Sequence, residues 1–141
     1  VTDNHILTLK IRGHKSIRNS NRKDRKYTHI VEYLNREELK IQEKYFNDCK
    51  DKKALPFDFY LPNYKLCVEY HGIQHYESVR FSYSTSEEQA MENFKTQQKR
   101  DKIKEDYCRN NNINLLIIPY WEFDRIEEIL VNTLNQLEGS T

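Results

Sequence analysis

Residues 57–72 of the chain, FDFYLPNYKLCVEYHG, decide its fold. Apolar and polar side chains alternate on both sides of PNYK, which has the composition of a turn, so the segment predicts a β-hairpin with strands over residues 57–61 and 66–71. A symmetric four-residue turn places Asp58 directly opposite Glu69. One face of the hairpin is then apolar and comprises Phe57, Phe59, Leu61, Leu66, Val68 and Tyr70. The other face carries side chains that are mostly able to bind a metal or a proton: Asp58, Tyr60, Cys67, Glu69 and His71.

The facing carboxylates of Asp58 and Glu69 indicate a metal site on this second face. Two opposed carboxylates with Cβ atoms about 5 Å apart repel each other, and a divalent cation such as Mg²⁺ or Mn²⁺ offsets the repulsion through oxygen ligands. The alternative is a solvent-exposed face whose charges are hydrated or paired with Lys and Arg. His71 extends the same face, and His75 follows shortly after Gly72, whose place at the strand exit indicates a positive φ or a close approach to its backbone.

Helices and a further strand are predicted around the hairpin. We expect a helix over residues 28–39 with Thr28 as its N-cap, followed by an extended segment over residues 40–46. The sequence TSEE at residues 85–88 has the pattern of a capping box and predicts a long helix that ends at Asn110. The apolar run at residues 113–119 predicts a buried parallel strand, and residues 125–137 predict an amphipathic helix. With a short strand at residues 5–11, this order predicts an α/β domain with a mixed β-sheet flanked by helices.

Composition limits the classes of protein to which the chain can belong. Its 141 residues suit one domain, and its 12% of aromatic residues distinguish it from a disordered chain. No apolar run approaches the roughly 18 residues of a membrane helix, so no membrane partner is expected. Three cysteines without a CxxC pair favour a reducing, intracellular compartment over a disulfide scaffold.

Positive charge is concentrated near the start of the chain. Residues 10–26 contain eight basic residues and one acidic residue, although the net charge of the chain is +1. Because Lys and Arg displace counterions from phosphates, a basic arm over residues 1–27 predicts a nucleic-acid partner, and a solvated leader is the alternative. The domain is expected over residues 28–138, with a tail at 139–141. The expected phosphate contacts are Arg12, Lys15, Arg18, Arg22, Lys23, Arg25 and Lys26, with Lys99, Arg100 and Lys104 as a second cluster.

Two segments carry a resemblance to a known family: LPFDFYLPNYKLCVEYHGIQHYE at residues 55–77 and RDKIKEDYCRNNNINLLIIPYWE at residues 100–122. They resemble phage- and intron-encoded homing endonucleases related to the very-short-patch-repair endonucleases, which have the PD-(D/E)XK nuclease fold. The resemblance covers about residues 28–130 and implies a restriction-endonuclease-like core, with His71 in place of the usual lysine of the (D/E)XK triplet. The residues that match the family's active-site positions are Pro56, Asp58, Glu69, His71, Gln74, His75 and Asp101.

The predicted first helix departs from the family pattern. The family has a Glu near the start of this helix, and aligning the chain on Tyr33 and Leu34 places Tyr27 there. Glu32 is the nearest acidic residue downstream, but it is five positions further on and points to another side of a helix. This departure favours a catalytically inactive DNA-binding protein as the alternative function, whereas the retained active-site carboxylates and His75 favour an enzyme.

The resemblance implies a site-specific DNA endonuclease that hydrolyses phosphodiester bonds with Mg²⁺, for which Mn²⁺ can substitute. Asp58 would coordinate the metal, and Glu69 would be a second ligand or position the water. His71 or His75 would act as general base or protonate the leaving oxygen, and Asp101 would orient a histidine or form an ion pair with a nearby lysine. The partner is double-stranded DNA, and a near-palindromic target implies a homodimer. A restriction or repair endonuclease and a structural interaction domain are two further candidate functions.

Overall fold

The predicted hairpin forms at the centre of the computed structural model, which describes residues 22–39 and 45–139. Its strands have the predicted register, since Phe59 lies opposite Val68 and Leu61 lies opposite Leu66. The predicted strand at residues 5–11 lies outside the described residues. The helices are α1 (Arg22–Arg36), α2 (Glu87–Asn110) and α3 (Ile126–Gly139), and the strands are β1 (Tyr45–Lys50), β2 (Ala54–Pro56), β3 (Phe59–Leu61), β4 (Leu66–His71) and β5 (Asn114–Pro119).

Three strands form a mixed sheet in the order β3-β4-β5. β4 is antiparallel to β3 and parallel to β5, with Glu69 beside Ile117 and His71 beside Pro119. α2 connects β4 to β5, as expected for parallel neighbours, which need a crossover connection. The mixed α/β class and the predicted parallel strand are therefore confirmed. The strand is less buried than predicted, because among its own six residues Ile118 alone is fully buried.

The main hydrophobic core lies between the hairpin and the two helices α1 and α3. Phe59, Leu61, Leu66 and Val68 of the hairpin belong to one buried cluster with α1 and α3 side chains. The stripe of α3 is confirmed as its buried side, and the helical members of the cluster include Ile30, Leu34, Ile126, Leu130 and Leu134. Burial of this apolar surface is the main favourable contribution to holding the helices on the sheet.

The second face of the hairpin is buried, so the alternative of a solvent-exposed face is wrong. Tyr60 and Cys67 of this face form a second cluster with Cys49 of β1 and Cys108 of α2. Phe57 also belongs to this second cluster, which corrects its predicted place beside Phe59. The reason is a bend at Asp58, which shortens β3 to three residues and interrupts the alternation of side chains.

Several element boundaries differ from those predicted. α1 begins at Arg22, so Thr28 lies within the helix and is not its N-cap. The N-cap of α2 is Ser86, whose side chain accepts a hydrogen bond from the backbone N–H of Gln89, and not Thr85. The end of α2 at Asn110 is confirmed.

The β1-β2 sheet was not predicted. β1 begins at Tyr45 and pairs with β2, whereas residues 40–44 of the predicted extended segment lie outside the described residues. Within residues 22–39 and 45–139, no helix combines the length and the apolar character that a membrane span requires.

Candidate active site

Asp58 and Glu69 form the predicted carboxylate pair and are linked through the backbone. The N–H of Asp58 donates to Oε2 of Glu69 over 3.0 Å, and the N–H of Tyr70 donates to Oδ2 of Asp58 over 2.9 Å. Tyr27 of α1 donates its hydroxyl to Oδ1 of Asp58 over 3.0 Å. Asp58 is half-buried, whereas Glu69 is only 3% exposed. Three hydrogen bonds therefore hold the bend at Asp58, two to β4 and one to α1.

Lys104 of α2 supplies a positive charge to this pair. Its Nζ lies 2.9 Å from Oε1 of Glu69 and 5.1 Å from the centroid of the Phe57 ring, and the lysine side chain is only 14% exposed. The carboxylate repulsion that predicted a divalent cation is thus offset by Lys104 and by hydrogen-bond donors. The sequence predicted a surface cluster of Lys99, Arg100 and Lys104. Lys104 does not belong to it, because its ammonium group is paired with Glu69.

Burial and hydrogen bonding act in opposite directions on Glu69. Burial raises the pKa of its carboxyl, but hydrogen bonding to His71, the charge and hydrogen bond of Lys104, and the N–H of Asp58 together outweigh burial. The pKa of Glu69 therefore lies below its ordinary value, and the group is an ionised carboxylate at neutral pH. Nε2 of His71 lies 3.5 Å from Oε1 of the same carboxylate.

His75 and Asp101 form a second pair beside the first. Nδ1 of His75 lies 2.8 Å from Oδ2 of Asp101, and the amide of Gln97 donates to Oδ1 of Asp101 over 2.9 Å. Burial raises the pKa of Asp101, but the hydrogen bonds from His75 and Gln97 lower it by more. The pKa therefore lies below its ordinary value, and the carboxyl is ionised at neutral pH. An ionised carboxylate only accepts, so Nδ1–H of His75 is the donor. Of the two roles predicted for Asp101, orienting a histidine is the one that the geometry matches.

The rings of His71 and His75 join the two pairs. They are stacked with centroids 3.8 Å apart and planes 7° from parallel. His71, His75 and Asp101 also offer three possible metal-ligand atoms within 4.8 Å of one another. Imidazole binds metals along the ring plane, so nearly parallel stacked rings do not aim at one ion. One ring must rotate before both nitrogens can bind the same metal.

Gln74 lies between the two histidines in sequence, and its side chain approaches Gly72 closely. The φ of Gly72 is −73°, so the positive φ offered as one explanation is absent at this residue. The close approach is real and comes from a side chain, because a Cβ at Gly72 would lie 2.6 Å from Oε1 of Gln74.

The structure describes some of the residues that were predicted to contact DNA. Lys99 and Arg100 are exposed on α2 and both pair with Asp51, with Nζ of Lys99 3.1 Å and Nε of Arg100 3.4 Å from its carboxylate. Of the other predicted phosphate contacts, four lie at the beginning of α1: Arg22, Lys23, Arg25 and Lys26. The other three, Arg12, Lys15 and Arg18, lie outside the described residues.

Sequence reasoning missed three contacts at this site. It assigned Lys104 to a surface and did not consider Gln97, although Gln97, Asp101 and Lys104 have the spacing that places residues on one face of a helix. That spacing was a usable signal once Asp101 was placed at the site. The contact of Tyr27 with Asp58 joins residues 31 positions apart, and its signal was the resemblance, which placed Tyr27 at the position of the family's Glu.

Comparisons with known proteins give one informative match. No protein-family model matches the chain, and no solved structure matches it. The chain is 39% identical over 83 residues to "Uncharacterized protein 307L" of Invertebrate iridescent virus 6. The match covers 59% of this chain and 39% of the viral protein, so it spans about two-fifths of that relative's length.

Proposed function

We propose that this chain is a metal-dependent DNA endonuclease of the homing type with a PD-(D/E)XK core. One observation carries the proposal. An acidic pair that can take part in metal binding, Asp58 and Glu69, lies beside an imidazole oriented by an ionised carboxylate, His75 with Asp101. The stacked ring of His71 joins the two pairs at the end of β4. A metal-binding carboxylate beside a general base is the arrangement that metal-assisted hydrolysis of a phosphodiester needs.

The donor set fits a hard divalent cation at Asp58. Mg²⁺ and Mn²⁺ prefer carboxylate oxygens, and Asp58 is the more accessible carboxylate of the pair. Both oxygens of each carboxylate already accept a hydrogen bond, but Glu69 is also buried and paired with the ammonium group of Lys104. Asp58 would therefore hold the metal, and Glu69 would fix the position of Asp58. When bound, the metal lowers the pKa of a water molecule and neutralises charge on the phosphate.

His75 is the general base in this proposal. Its Nδ1–H donates to Asp101, so Nε2 carries the lone pair that accepts a proton from the attacking water. Asp101 orients the ring and stabilises the imidazolium that forms, and Gln97 in turn orients Asp101. His71 is held by Glu69 and is the group available to protonate the leaving oxygen.

Double-stranded DNA is the proposed partner. The basic residues at the beginning of α1 and the exposed Lys99 and Arg100 provide the positive charge that binds phosphates without selecting a sequence. One catalytic centre per chain nicks one strand, so cleavage of both strands at a near-palindromic target requires a homodimer.

A catalytically inactive DNA-binding protein is the second candidate, and one observation favours it. The hydroxyl of Tyr27 donates a hydrogen bond to Oδ1 of Asp58, and the ammonium group of Lys104 forms an ion pair with Glu69. The two carboxylates are thus satisfied electrostatically by the chain itself, which lowers their need for a metal.

The test is cleavage of a degenerate duplex-DNA library in Mg²⁺ or in EDTA, followed by sequencing of new ends. We expect ends that require Mg²⁺, that disappear with Asp58→Asn and with His75→Ala, and that persist with the matched control Asp106→Asn on the exposed side of α2. Library binding without new ends would refute the enzyme and support the inactive DNA-binding protein. Cleavage that requires a mismatch would instead identify a repair endonuclease.

A further inference from the structure

A cavity of about 170 Å³ opens beside the His75–Asp101 pair. It lies between residues 74–81 and the first half of α2. Ala90, Asn93, Phe94 and Gln97 form the helical wall, and their spacing places them on one face of α2. Ala90 is 2% exposed, so a larger side chain at this position would extend into the cavity or displace its neighbours. We call this space the amide cavity.

Aromatic rings and carboxamides line the amide cavity. Phe94 is half-buried, and Phe81 is 73% exposed, which leaves an aromatic face available to a flat ligand. Asn93 accepts a hydrogen bond from Gln89, and the Gln97 amide nitrogen donates to Asp101.

Several polar atoms of the amide cavity have no hydrogen-bond partner among the described residues. Nδ2 of Asn93, Oε1 of Gln97 and the Gln74 amide make no hydrogen bond within the described part of the chain. The cavity therefore offers hydrogen-bonding groups of both kinds next to an aromatic surface.

The charge of the lining excludes a phosphate group as occupant. Among the described residues that line the amide cavity none is cationic, and Glu77 is the one anionic residue. The ligand that fits is neutral, planar and able to donate and accept hydrogen bonds. A nucleobase has these properties, and carboxamides and carboxylates are among the side chains that bind base edges.

We infer that the amide cavity binds an unpaired pyrimidine base of the DNA strand. A cavity of about 150 Å³ holds a benzene ring, so 170 Å³ admits a single-ring base more readily than a purine. Glu77 favours cytosine, whose exocyclic amino group donates to a carboxylate. The base would stack on the Phe rings and hydrogen-bond to Asn93 and Gln97.

The position of the amide cavity connects this inference to cleavage. Gln97 contacts both the cavity and Asp101, and Gln74 is the neighbour of His75 in sequence. A strand whose phosphate lies at His75 therefore has a flanking base within reach of the cavity. The inference rests on the proposed function: in duplex DNA, a pyrimidine that flanks the cleaved phosphate would leave its base pair on binding and enter the cavity.

The test measures binding without cleavage. Fluorescein-labelled single strands of oligo-dC, of oligo-dA and of abasic units, all of one length, are titrated with the full chain in EDTA and followed by anisotropy. We expect oligo-dC to bind about tenfold more tightly than the abasic strand, with oligo-dA close to the abasic strand. Ala90→Leu and Asn93→Ala each reduce the preference for oligo-dC, whereas the matched control Gln98→Ala, exposed on α2, leaves it unchanged.

Each outcome decides the inference. Three outcomes refute base binding by the amide cavity: equal affinity for the three strands, no binding to any of them, or a preference for oligo-dC that survives both Ala90→Leu and Asn93→Ala. A preference for oligo-dA overturns the assignment to pyrimidines. Because no metal is present, the result is independent of cleavage, and the library experiment in Mg²⁺ separately decides whether the chain is a nuclease.

Discussion

Replacement of Lys104 by Met tests the buried charges of the site most directly. Met retains the length of the side chain and its packing on Phe57, but it removes the cation from Glu69. Removing one partner of a buried ion pair costs about 3–5 kcal/mol. The lower end applies here, because His71 and the N–H of Asp58 still contact the Glu69 carboxylate. We therefore expect Lys104→Met to lower the free energy of unfolding by about 3 kcal/mol at pH 7.

Urea unfolding followed by circular dichroism measures this change. With an m value of about 2 kcal/mol/M, the midpoint falls by about 1.5 M. Lys102→Met is the matched control on the same helix, because Lys102 is 72% exposed and pairs only with Asp106 among the described residues. The control is expected to stay within about 0.5 kcal/mol of the wild type.

The effect of Lys104→Met depends on pH in a defined direction. In the wild type the pKa of Glu69 is below its ordinary 4.5, so ionised Glu69 stabilises the fold above that pH. Without Lys104 the pKa of Glu69 rises from its wild-type value, because the charge and the hydrogen bond that lower it are removed. The difference in stability between the two proteins therefore grows as pH increases from 4 to 7.

A double-mutant cycle measures the coupling between Glu69 and Lys104. Glu69→Gln combined with Lys104→Met removes both charges and recovers stability relative to Lys104→Met alone, with a coupling of about 2 kcal/mol. Equal losses for Lys104→Met and Lys102→Met, or a difference from the wild type that does not vary with pH, would refute the buried ion pair.

Three further predictions concern the remaining groups of the site. On the proposed function, we expect Asp101→Asn to lower kcat for cleavage about 10²–10⁴-fold, since a side-chain amide does not stabilise a protonated His75. Single-turnover cleavage checks this prediction, and a rate within twofold of the wild type contradicts it. Tyr27→Phe removes the hydrogen bond to Asp58 and destabilises the fold by about 1 kcal/mol, which a shifted urea midpoint detects and an unchanged midpoint disproves. The folded-state pKa values of Glu69 and Asp101 both lie below their ordinary values of 4.5 and 3.8, so the free energy of unfolding decreases as the pH falls through and below these values. Urea midpoints measured from pH 7 to pH 3 should therefore decrease toward acid pH, and constant midpoints would exclude this linkage.

Local patterns in the sequence were sufficient for the elements whose form depends on near neighbours. The turn PNYK and the alternation around it determine the register that places Asp58 beside Glu69. The apolar composition of β5 predicts a parallel strand, and the spacing in α3 predicts its buried stripe, because both depend on periodicity within a few residues.

The tertiary structure decided what covers the second face of the hairpin. Alternation along β4 identifies the face that carries Glu69 and His71, but only the packing of α2 buries it and brings Lys104 to Glu69. The bend at Asp58 follows from hydrogen bonds to Tyr27, Glu69 and Tyr70, which are distant in sequence or in the opposite strand. Such contacts depend on how separate elements pack, and no periodicity within one segment encodes them.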